Sequence, residues 1–228
     1  MKRKINLLKT LKIPKRFWGL KFSKLHGFPN QREKSKGFSL KREYKEAFSF
    51  LGRTKWHIIF VIGLFFLIAL AVYSGFQSQE LNKTLLEYLK KVVSQFEGKG
   101  LKETIFMIFT NNLFVSFLGI ILGVFFGVIP VIVIVSNAYA VGFVAQKSVD
   151  VAGITVLWRL FPHGIFELPA LFISLALGIK LGSFVFAVKP WKTLNDYFIS
   201  SMKIFFYIIL PLLVVAAIIE GALIVMMK

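Results

Sequence analysis

His163 and Glu167 stand four residues apart, a spacing that puts an imidazole and a carboxylate on one face of a helix, and Glu220 is a second acid inside a long apolar run. Histidine with two carboxylates is a residue set for a metal centre, a general acid–base pair or a proton relay. Three amides join them in comparably apolar surroundings: Asn111, Asn112 and Asn137. The patterns that would commit these residues to catalysis are missing from the sequence. It has no H-E-x-x-H, no cysteine, no glycine-flanked nucleophilic serine and no phosphate-cradling glycine loop. The expectation is therefore no catalytic residue, no metal and no cofactor. Asn111, Asn112, Asn137, His163, Glu167 and Glu220 are expected instead to form an intramembrane polar cluster that keys helices together.

The surroundings of these residues follow from composition. Of 228 residues, 56% are hydrophobic and mean hydropathy is +0.70, with apolar runs longer than a bilayer span requires. The expected fold is all-α, a polytopic helical membrane protein of about five transmembrane helices. Trp56 to Phe76 makes the first span, 21 residues that at 1.5 Å each cover about 31 Å. The apolar stretch from Thr104 to Gln146 is too long for one span. It breaks at GVIP, residues 127–130, where Pro130 suits a helix start, giving spans of about 104–126 and 130–146. A fourth span, about 162–187, opens at Pro162, and residues 189–203 join it to a fifth at about 204–227.

Two segments flank this membrane domain, residues 56–228. Residues 1–55 form a basic amphipathic arm with 17 basic residues against three acidic, interleaved with Leu7, Leu8, Leu11, Phe17, Trp18 and Phe22. Such a mixture suits the anionic headgroups of a bilayer, and no nucleic-acid partner is expected. Between spans one and two, Leu81, Leu85, Tyr88, Val92 and Phe96 recur at helical spacing. They predict an amphipathic helix over 77–103 whose apolar face rests on headgroups or on this protein.

The distribution of lysine and arginine sets the orientation. With a cytoplasmic N-terminus, 20 of the 29 basic residues lie inside, eight lie outside and Lys180 lies within the membrane. The amphipathic helix, the 147–159 loop and the C-terminus are then outside the cell membrane. Lys180, near the inner end of span four, is expected to snorkel to the interface.

Small residues supply the packing faces. Gly119, Gly123 and Gly127 follow Asn112 and Ser116 along one face of span two, and Gly178 and Gly182 continue the stripe of span four, so that backbones can approach closely. An ionised acid at the bilayer centre costs on the order of 2.5 to 3.5 kcal/mol on insertion scales. Retention of Glu167 and Glu220 thus implies pairing, protonation or access to water. Pro169 removes the amide that would bond the Ile165 carbonyl and invites a bend beside Glu167.

Taken together, Asn111-Asn112 followed by glycines, PHGIFELPA at 162–170, LGIKLG at 177–182 and AAIIEG at 216–221 resemble the stage II sporulation protein M family. The resemblance covers about residues 45–225 and leaves out the basic arm. Where family members often carry Asn-Gly in the third span, this chain has Asn137-Ala138, with Gly142 later. The resemblance implies a multi-pass membrane protein with no known enzymatic activity of its own. In endospore formers the namesake works with membrane-anchored peptidoglycan-degrading proteins, and relatives also occur in organisms that never sporulate. A non-enzymatic membrane scaffold or complex subunit with protein partners is the expected function, and a homo-oligomer is compatible with the sequence. The alternative is a transporter or permease subunit that uses Glu167 and Glu220.

Overall fold

The computed structural model describes residues 39–226, and within them not the side chains of 158–163. The arm expected over residues 1–55 lies outside the described residues as far as residue 38. The structure is about 90% helical, with no strand among the described residues. Five helices are long and apolar enough to cross a membrane: Lys55–Tyr73, Leu101–Val124, Val128–Ala152, Gly164–Phe186 and Pro190–Met226.

The first helix of the described residues, α1 (Leu40–Arg53), buries Ala47 and Phe50 against α7 (Pro190–Ile204) and belongs to the same compact unit as the spans. Its composition places the segment in the basic arm, because its lysines and arginines continue the pattern of residues 1–38. After the single residue Thr54, α2 (Lys55–Tyr73) crosses the bundle, and α3 (Gln79–Phe96) is the expected amphipathic helix. Its N-cap is Ser78, whose hydroxyl accepts from the Leu81 amide at 3.4 Å.

The long apolar stretch does fold as a hairpin, α4 (Leu101–Ile121) and α5 (Val128–Ala152). The turn between them needs Gly127, which caps α5 at φ 72°, a left-handed conformation that costs glycine little. Pro130 sits in the first turn of α5, where its missing donor would have had no intrahelical partner. The expected loop over 147–159 is mostly helical: α5 continues to Ala152 and a 3₁₀ segment occupies Ile154–Leu160.

Helix α6 (Phe161–Gly182) is the axis of the fold. In its apolar stretch 67% of residues are buried, against 22–28% in the other four spans. Leu175, Ala176 and Leu177 are inaccessible. The small-residue stripes meet here. A Cβ on Gly123 would overlap the Gly178 carbonyl, one on Gly178 would overlap the Gly119 carbonyl and the ring of Pro130, and one on Gly182 would strike the Gly127 amide. The two backbones touch because no side chain separates them. In the third span, Ala138 is fully buried and Gly142 abuts the Ala69 carbonyl, so Gly142 provides the close approach to α2.

The segment expected to join spans four and five is a helix, with Pro190 at its start. It runs without a break through a π turn, Phe205–Ile209, into α8 (Leu210–Met226). Pro211 accounts for the wider turn: its ring crowds the carbonyl four residues back, and the Leu210 amide reaches instead to the Phe205 carbonyl.

Candidate functional site: a polar cavity inside the bundle

Helices α4, α6 and α8 converge at the end of the bundle remote from α1, and α3 lies across the gap they leave. The close contact of α8 with α4 is set by Gly221, where a Cβ would collide with Ile105. That contact carries the neighbouring Glu220 to the inner surface. On α6, buried Ala170 holds the helix into the core one turn below Glu167.

The result is a cavity of about 380 Å³ whose polar lining comprises Asn111 and Asn112 from α4, Glu167 from α6, Glu220 from α8, and Lys91 and Gln95 from α3. Its volume falls in the range of small-molecule sites. The Oε2 atoms of both glutamates are shut off from solvent. The adjacent amides engage one another, Asn111 Nδ2 donating to Asn112 Oδ1 at 3.3 Å.

Four of the six expected cluster residues therefore come together. Asn137 does not line this cavity; its Nδ2 donates to the Val133 carbonyl of its own helix at 2.8 Å. The side chain of His163 is outside the described residues. Among those residues, no group of three or more His, Cys, Asp and Glu is arranged to hold a metal ion.

Several polar residues that no local pattern marks also make tertiary contacts. At the start of α3 a latch ties the helix to α5: Tyr139 donates to Asn82 Oδ1 at 2.8 Å, Asn82 donates to Gln77 Oε1 at 2.8 Å, and Gln77 Nε2 reaches both Gln146 and the Val72 carbonyl. Apart from this latch α3 is loosely seated, with no buried residue. Leu81, Leu85 and Tyr88 face Val131, Ile132 and Val135 of α5 across a second, apolar cavity of about 540 Å³.

Lys180 also departs from expectation. Instead of snorkelling it is buried, 6% exposed, and donates to the Arg53 carbonyl at 2.8 Å and to Thr54 Oγ1 at 3.0 Å. Its ammonium lies 4.5 Å from the centre of the Phe50 ring. Partners 126 and 127 residues away made this arrangement invisible to local pattern.

A bundle of five membrane-crossing helices around a glycine-faced central helix, with acids and amides facing one internal cavity, defines a polytopic membrane protein. The chain belongs to the stage II sporulation protein M family, whose profile matches residues 57–223 and thus includes every residue that lines the cavity. An uncharacterized protein of the archaeon Methanocaldococcus jannaschii is 28% identical over 175 residues, covering 73% of this chain and 78% of the relative. No solved structure matches the chain.

Proposed function

We propose that the protein is a non-enzymatic membrane scaffold, a subunit that organises membrane-anchored partners. The observation that carries this reading is the state of α3: an 18-residue amphipathic helix tethered at one end, with no residue buried and with Leu86, Tyr88 and Val93 exposed. Such a helix offers an apolar surface beside a rigid, glycine-keyed bundle. The cavity residues then specify how α4, α6 and α8 meet. Family resemblance suggests peptidoglycan-degrading proteins as partners where the host has such a wall. The lysine distribution favours a cytoplasmic α1 end, with α3 and the C-terminus outside.

The test is affinity purification from native membranes in mild detergent, comparing wild type, Glu167→Gln and Tyr139→Phe. Recovery of the same membrane-anchored protein with wild type and Glu167→Gln, and its loss when the α3 latch is cut, supports the scaffold. Equal recovery with all three variants removes α3 as the partner surface.

A second reading, a permease subunit, draws on the shared cavity of Glu167 and Glu220. Flux of protons or solute in sealed liposomes that disappears in Glu220→Gln would favour it.

A further inference from the structure

At the end of the bundle opposite the acidic cavity, α1 and α7 bound a hollow of about 410 Å³. Arg42, Lys45, Arg53 and Lys203 project into it with the hydroxyls of Ser49 and Ser200, against one carboxylate, Glu46. Two of these cations are already balanced. Lys203 bonds Glu43 at 2.7 Å and Glu46 at 2.6 Å, and Arg42 lies 3.7 and 3.8 Å from the same two acids. Lys45 and Arg53 make no ion pair among the described residues. The hollow is thus left with two uncompensated positive charges, and the ammonium of Lys180 stands just behind Arg53.

Its depth follows from lengths. The continuous helix Pro190–Met226 has 37 residues, about 55 Å at 1.5 Å each, nearly twice the hydrocarbon thickness of about 30 Å. The α7 half must therefore emerge among the headgroups. Helix α1 carries a matching sign: Leu40, Tyr44 and Phe48, four residues apart, are 56%, 40% and 58% exposed. An apolar edge beside a Lys/Arg face is the pattern of a helix lying in the plane of the interface.

We propose that this hollow binds the phosphate group of an anionic membrane lipid, with Lys45 and Arg53 as its charge partners and Ser49 as a hydroxyl donor. Guanidinium and ammonium groups form their strongest hydrogen bonds with such anions, and basic hollows beside spans suit phosphate headgroups. The volume fits a single phosphodiester headgroup, and the acyl chains have Leu40, Tyr44 and Phe48 to lie against. The inference is independent of the scaffold reading.

The test uses the full chain, delipidated in non-ionic detergent and titrated with dioleoyl-phosphatidylglycerol or dioleoyl-phosphatidylcholine, with bound lipid counted by native mass spectrometry. Each basic residue near a headgroup is worth about five-fold in affinity, so Lys45→Gln/Arg53→Gln should weaken the first phosphatidylglycerol about twenty-five-fold. Lys83→Gln/Lys90→Gln, which removes the same charge from α3, should leave it unchanged, and Lys45→Arg/Arg53→Lys should retain it. The basic arm is common to all these proteins and cancels in the comparison. Equal weakening by both Gln pairs would reduce the effect to net charge and overturn the site. So would equal retention of phosphatidylcholine. Displacement of the lipid by excess inorganic phosphate would make this a free-anion site and overturn its assignment to lipid.

Discussion

The ammonium of Lys180, on the central helix, donates at 2.8 Å to the backbone carbonyl of Arg53, the last residue of α1. A helix C-terminus leaves carbonyls without partners, and a cation there is doubly favourable. Lys180 thus fixes the surface helix to the membrane core. Lys180→Met should lower stability by about 1–3 kcal/mol, the range for losing a charged hydrogen-bond partner. It should also speed tryptic cleavage after Arg53. Thermal unfolding in detergent and a digestion time course check both.

Glycine substitutions should divide by location. Gly178→Ala forces a methyl group against the Gly119 carbonyl and the Pro130 ring, so a loss of about 1–3 kcal/mol is expected from overpacking. Gly63→Ala, on α2 with no atom within 4 Å of the added carbon, should instead gain about 0.5–1 kcal/mol from helix propensity. Melting temperatures of the two variants should move in opposite directions.

The contact between α1 and α7 should weaken in acid. The hydrogen bond from Lys203 holds the Glu43 carboxyl below its ordinary value of 4.5, assisted by the charges of Lys203 and Arg42. A carboxyl whose value is depressed in the folded state contributes stability above the unfolded value and loses it as pH falls through the folded one. Unfolding of wild type should therefore be insensitive to this group near neutrality and become easier below about pH 4.5. Glu43→Gln should narrow the difference between neutral and acidic melting temperatures.

Proximity within the acidic cavity can be tested directly, because the chain contains no cysteine of its own. Asn112→Cys with Glu220→Cys should be joined by a short bifunctional thiol reagent, as should Gln95→Cys with Asn111→Cys. Asn137→Cys with Glu220→Cys should not, since Asn137 is turned to its own helix. Gel mobility after proteolysis between the paired positions reads the outcome.

The spans were legible in the sequence because length and apolarity are the two quantities a bilayer selects. The α3 helix was legible from the spacing of Leu81, Leu85, Tyr88, Val92 and Phe96. Asn111, Asn112, Glu167 and Glu220 could be expected at a common depth because each lies a similar distance from a span end. What local pattern could not supply was side-chain direction. Asn137 has a rotamer that turns its Nδ2 to a carbonyl of its own helix, and nothing in its neighbours distinguishes that choice. Lys180 required knowledge of a partner more than a hundred residues earlier. Pro190 was a usable signal for α7, since proline is favoured at the first helical position. The residues after it are too polar to read as part of a span.

The π turn at Phe205–Ile209 gives the last helix a phase offset. Before it the helix meets α1, the ring of Tyr197 lying 5.7 Å from that of Phe50, whereas after it Ile209, Leu213, Ala217 and Gly221 are buried along one face, with Gly221 against Ile105 of α4. A single long rod thereby serves two sockets whose bearings an unbroken α-helix would not match. Removing one residue here would turn everything beyond by about 100°. Glu220 would swing out of its cavity although no residue lining that cavity had changed, so the angular setting of the acidic site is stored about a dozen residues away, in one widened turn of backbone.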